Sequence, residues 1–144
     1  MLFRSRWVAG FVGDINLIEG EITQQDGHRL TVATAQAGAL LATAPRQPID
    51  GTAVCLAIRP EKIRLSRQGP AAERGHSGAM NSLTGVVSEI GYLGGLSVYK
   101  IQLDHGGTLR AALANTARLD VDAYGVGQHV VAWFAPDDAV VLQR

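Results

Sequence analysis

Two stretches of this chain recur in the same order, and both are built for turns and buried strands. Asn16-Leu17-Ile18-Glu19-Gly20-Glu21-Ile22 matches Asn81-Ser82-Leu83-Thr84-Gly85-Val86-Val87: an Asn, a Gly four residues on, then an aliphatic tail. Downstream of each, Gly51 to Glu61 pairs with Gly127 to Asp137. In both, a Gly opens an apolar run and a Pro-acid pair (Pro60-Glu61, Pro136-Asp137) closes it nine residues later. An ordered pair of matches at similar spacing points to two copies of one β-rich unit. Two copies are too few for a solenoid, so one compact bipartite barrel is expected.

Turn chemistry between the copies supports the strand assignment. Asp26-Gly27 and Gly94-Gly95 each separate two apolar-rich runs and read as hairpins. Leu17–Thr23, Arg29–Thr34, Ala39–Thr43 and Thr52–Ile58 are expected strands of the first copy, with Ile63 and Leu65 in a short half-buried one. In the second copy the expected strands are Ser82–Tyr92, Leu96–Leu103, Thr108–Ala114, Gln128–Phe134 and Ala139–Leu142. Tyr99, Ile101 and Leu103 take one face of their strand, Lys100 and Gln102 the other. Ser5 can cap a short N-terminal helix ending at Gly13, with Trp7, Val8 and Phe11 toward one face. The expected division is 1–15 as linker and short helix, 16–65 as the first half, 66–79 as a linker, and 80–144 as the second half. Short strands parted by Gly/Asp turns favour an all-β barrel.

Composition removes several function classes. Thirteen basic and thirteen acidic residues cancel, and only two of the bases, Lys62 and Lys100, are lysines. Nothing here draws the chain to a polyanion, so no nucleic-acid partner is expected. No Gly-Lys pair exists, which excludes a phosphate-binding Gly-x-x-x-x-Gly-Lys-Ser/Thr loop. The longest uninterrupted apolar runs, Ala53–Ile58 and Val130–Ala135, hold six residues, against about 20 for a membrane span. No signal peptide is legible at the start, and a soluble intracellular chain is expected. Cys55 is the sole cysteine and sits in an apolar run, the place of a small buried hydrophobe.

The reactive residues do not assemble into a catalytic pattern. His28, His76, His105 and His129 share no metal-ligand spacing, and zinc needs three or four convergent ligands, so no metal site is expected. No nucleophile arrangement can be argued, and no catalytic residue is assigned. Glu61 and Asp137 are expected to cap or turn the chain where a strand ends. The Gly94-Gly95 and Gly106-Gly107 pairs serve hairpin turns that need φ > 0. Tyr92, Tyr99, Trp133 and Phe134 are expected in the core.

The second half resembles the transport-associated OB-fold (TOBE) domain of ABC-importer ATP-binding subunits. It does so through Asn81-x-x-x-Gly85-x-Val87, Ile90-Gly91-Tyr92-Leu93-Gly94, Tyr99-x-Ile101-x-Leu103 and Val130-x-Ala132-Trp133-x-Ala135-Pro136-Asp137. The first half looks like the segment after the nucleotide-binding domain in such subunits, through Ser5 to Asn16 and Ala57 to Ile63. The ensemble is most similar to spermidine/putrescine-type and related polyamine or ferric-iron import ATPases. The resemblance implies an OB-fold-like (TOBE/MOP-like) barrel with a non-catalytic regulatory and dimer-stabilising role. ATP and magnesium would belong to the parent subunit, and this chain would carry no cofactor of its own. It further implies a homodimer, partnership with an ABC ATPase domain and indirectly with permease subunits, and a cytoplasmic place at the inner membrane face. Trp7, Val8 and Phe11 are then candidates for the seam to the ATPase domain. Glu89, Tyr92, Tyr99, Asp104 and Trp133 are candidates for polyamine contact through cation–π and carboxylate interactions. Two other classes remain: a free-standing molybdate, tungstate or sulfate binding module, and an OB-fold nucleic-acid binder.

Overall fold

The computed structural model describes residues 15–46, 48–67, 80–114 and 124–143. The expected N-terminal helix with Trp7, Val8 and Phe11, most of the 66–79 linker and His76 lie outside the described residues. Among the described residues ten strands follow in order: β1 (Asn16–Asp26), β2 (Arg29–Thr34), β3 (Gly38–Thr43), β4 (Ala53–Ile58), β5 (Arg64–Ser66), β6 (Asn81–Leu93), β7 (Leu96–Leu103), β8 (Thr108–Ala114), β9 (His129–Phe134) and β10 (Ala139–Gln143). The chain is an all-β, OB-like body of two related halves.

Strand partnership departs from sequence order at two places in each sheet. One five-stranded antiparallel sheet runs β10-β4-β1-β2-β3, the other β5-β9-β6-β7-β8. Each half therefore builds four strands of one sheet and donates its fifth to the other. The donation follows from the Pro-acid pairs. After β4, Pro60 opens a 3-10 turn over Pro60–Lys62, closed by the Ile63 N–H donating to the Pro60 carbonyl, and the chain leaves as β5 beside β9. After β9, Pro136–Asp138 repeats this, with the Ala139 N–H on the Pro136 carbonyl, and β10 joins β4. Pro suits the first helical position, where its missing N–H has no partner to lose. The Asp138 carboxylate accepts from the Ala135 N–H at 3.1 Å, as an acid at a strand end should. Asp137 instead accepts the Thr43 hydroxyl proton and ties the turn to β3.

The repeat extends to irregularities. β1 bulges between Ile22 and Gln24, and β6 bulges at the corresponding place, between Val87 and Glu89. The two bulged residues, Thr23 and Ser88, each donate a hydroxyl to the strand opposite, at Thr31 and Lys100 carbonyls. Ahead of each bulge the strands crowd a glycine: a Cβ would fall 2.6 Å from the Ala33 carbonyl oxygen at Gly20 and 2.5 Å from that of Gln102 at Gly85. No side chain fits there. This close approach, rather than a turn, explains the repeated Asn-x-x-x-Gly spacing.

One core runs through both halves. Ile18, Leu30, Leu40, Leu56 and Ile58 pack in the same cluster as Val87, Ile101, Leu109, Val130 and Phe134. β4 along nearly its whole length and β9 over its last three residues are buried on both faces, with Cys55 and Trp133 opposite the shared core. That is why both read as unbroken apolar runs rather than alternating ones.

Candidate functional site

The two halves meet along a seam of polar backbone contacts. Asn16 and Asn81, each opening its first strand, are almost fully buried. The Asn81 Nδ2 donates to the Leu41 carbonyl at 2.8 Å while its Oδ1 accepts the Leu41 N–H at 2.7 Å. Asn16 does the same to β8, donating to the Arg110 carbonyl at 2.9 Å and accepting the Arg110 N–H at 2.7 Å. Its amide also reaches the Ile58 carbonyl at 3.2 Å. A carboxamide offers one donor and one acceptor side by side, so it can substitute for a neighbouring strand at a sheet edge. Each half thus clamps the edge strand of the other. The β2–β3 and β7–β8 turns also interlock, through the Gly107 N–H donating to the Gln36 carbonyl at 3.1 Å. A Cβ at Gly107 would lie 2.6 Å from the Gln36 Cβ, and one at Gly38 (φ 74°) would lie 3.1 Å from the His105 ring.

Beside the seam lies a corner of arginines on aromatic rings. The Arg64 guanidinium sits 5.2 Å from the centre of the Trp133 ring, its facing partner across β5 and β9. Arg67 sits 5.3 Å from the Tyr124 ring. Tyr124 meets Tyr99 edge to face at 5.8 Å and donates its hydroxyl to the Leu65 carbonyl at 3.0 Å. Cation–π contacts of this kind are worth about 0.5–1 kcal/mol when exposed. Nothing in the spacing of Arg64, Arg67 and Tyr124 announces this corner, since it forms across strands of different halves.

The five residues nominated for polyamine contact are dispersed. Tyr99 is 6% exposed and Trp133 1% exposed, so core packing holds for both. Tyr92 does not fit that expectation: it is 72% exposed at the end of the β6–β7 hairpin, beyond the reach of the barrel core, together with Leu93 and Leu96. Glu89 faces Lys100 across the strands, with 3.9 Å between the charged groups. Tyr99 immediately precedes Lys100 and so points to the opposite face. Asp104 lies past the other end of β7, accepting the Thr84 hydroxyl proton. Glu89, Tyr92 and Asp104 are the solvent-facing members of the set. Among the described residues, no three His, Cys, Asp or Glu side chains converge as metal ligands, and no helix is long and apolar enough to cross a membrane.

Comparison with known proteins sets this geometry in context. Residues 56–142 match the TOBE domain family. The chain is 33% identical over 132 residues to the spermidine/putrescine import ATP-binding protein PotA 2 of Pseudomonas aeruginosa, covering 90% of this chain and 35% of that protein. It is 34% identical over 140 residues to the putrescine transport ATP-binding protein PotG of Escherichia coli, covering 96% and 35%. The chain spans about a third of the length of these curated relatives. A solved structure of the cytoplasmic molybdate-binding protein ModG superposes with a TM-score of 0.68 at 16% identity, over 90% of this chain and 96% of that one. At that identity the likeness is one of fold.

Proposed function

This chain belongs to the TOBE domain family, and from that premise we propose that it is a non-catalytic regulatory domain of an ABC-importer ATP-binding subunit serving polyamine uptake. The observation that carries the reading is identity of about a third, sustained across nine-tenths or more of the chain, to import ATP-binding proteins for spermidine and putrescine. The physics agrees with a prop rather than a reaction centre. Interlocked sheets with side-chain clamps make a stiff body, which can steady a pair of motor domains while they open and close. In this role the domain pairs with a second copy and sits at the cytoplasmic face of the membrane beside the permease. Trp7, Val8 and Phe11 would meet the ATPase domain. Polyamine amines would meet the exposed carboxylates of Glu89 and Asp104, with Tyr92 offering a ring face.

Two measurements test this reading. Putrescine uptake by cells should fall when the coding region for residues 16–143 is deleted in frame. Calorimetric titration with spermidine, putrescine, molybdate and sulfate separates a ligand-sensing role from a purely structural one. Uptake unchanged by the deletion refutes the reading. The ModG-like fold favours one alternative, an oxyanion-binding module, which requires molybdate or tungstate to raise the melting temperature by mass action. Fold alone does not fix function, so the relatives' identity weighs more.

A further inference from the structure

We propose that two copies of this chain can exchange their second halves, each completing its sheets with strands of the other copy. The inference deepens the twofold pairing proposed above and rests on that reading for its context, though not for its geometry. The β4–β10 and β5–β9 ladders each join a residue before position 67 to one after position 80. So do the Asn16–Arg110 and Asn81–Leu41 clamps and the Gln36–Gly107 turn contact. These contacts between halves are therefore equally available from a second copy, with the same register and the same chemistry.

Neither half is complete alone. Without β10, the fully buried Val54, Leu56 and Ile58 of β4 would border an open edge; without β5, the buried Ala132 and Trp133 of β9 would do so. An open apolar edge strand demands a complement, and the complement of matching register is another copy's fifth strand. Within one chain the halves are joined through residues 68–79. A connection of that length gives an effective concentration on the order of mM. Closure within one chain therefore dominates in dilute solution. Exchange takes over when copies are concentrated toward that range or held side by side, as two subunits of one importer would be.

The test places a bridge across the exchanged ladder. Ala57 on β4 faces Val140 on β10, so Ala57→Cys and Val140→Cys are combined in a Cys55→Ala background. After unfolding, the full chain is refolded at ~1 µM and at ~1 mM, bracketing the effective concentration, and then oxidised. Closed chains give a monomer on a non-reducing denaturing gel, and exchanged pairs give a doubly bridged dimer. The proposal expects monomer at the low concentration and the dimer as a major species at the high one. Internal bridges at both concentrations overturn it. If light scattering then still shows dimers, pairing uses outer surfaces and the regulatory reading survives. Should the variant fail to fold, tagged and untagged wild-type chains are refolded together at high concentration, and in parallel are refolded apart and then mixed. Mixed pairs that form only on refolding together support exchange; their absence, or equal mixing of chains already folded, overturns it.

Discussion

Replacing Asn81 by alanine removes one of the two clamps without touching the apolar core. The side chain makes two hydrogen bonds to Leu41, at 2.7 and 2.8 Å, from a nearly water-free position. Two such bonds contribute roughly 1–3 kcal/mol net, and leaving the half-buried Leu41 groups unpaired adds about another 1 kcal/mol. Asn81→Ala should therefore destabilise by about 2–4 kcal/mol, a large part of the roughly 5–15 kcal/mol that holds a domain together. Asn81→Asp should cost at least as much, since an anionic oxygen would replace the donor facing the Leu41 carbonyl. Urea unfolding followed by circular dichroism reads the change. With a slope of about 1–3 kcal/mol per molar, the midpoint should fall by roughly 1–2 M. Asn16→Ala should cost at least as much, because Asn16 holds Arg110 in the same way and also donates to the Ile58 carbonyl. Midpoints within about 0.3 M of wild type for both variants would refute the clamp argument.

Three further outcomes follow from the same geometry. Gly20→Ala and Gly85→Ala, whose new methyls would collide with facing carbonyls, should each cost about 1–3 kcal/mol in thermal or urea unfolding, whereas Gly91→Ala, with nothing within 4 Å, should stay within about 0.5 kcal/mol of wild type. Phe134→Ala, a fully buried ring in the shared core, should cost about 3–5 kcal/mol, read by the same unfolding curves. Lys100→Ala, which breaks an exposed pair with Glu89, should cost less than about 1 kcal/mol, with no added salt sensitivity in the melting temperature.

Most strands were legible because local patterns and turns agree. β7 shows this well: Tyr99, Ile101 and Leu103 are buried between the more exposed Lys100 and Gln102, and Leu93 pairs with Leu96 around Gly94-Gly95. Partnership was not legible. Nothing in Arg64-Leu65-Ser66 says that it will lie beside β9 rather than β1, because register with a distant strand leaves no local periodicity. The recurrence of Asn16 and Asn81 was visible, but their clamping role was not, since the groups they satisfy belong to the opposite half. Tyr92 shows the converse error. Alternation continues along β6 past the end of the barrel, so an aromatic residue expected inside stands in solvent. The dispersal of Glu89, Tyr99, Asp104 and Trp133 has another origin: alternation says which residues of one strand share a face, but not how that face lines up with side chains on other strands or at the other end of a hairpin.

The central claim is that two sequence halves form one cooperative body through traded strands. Native-state hydrogen exchange of the amides in Val54–Ile58 and Val130–Phe134, measured in wild type and Asn81→Ala, tests it most directly. The account predicts that both sets open with a common free energy and that the substitution lowers both by the same amount. Opening of one set some 2 kcal/mol below the other, or a loss confined to one half, would be sub-global unfolding of independent units and would contradict it.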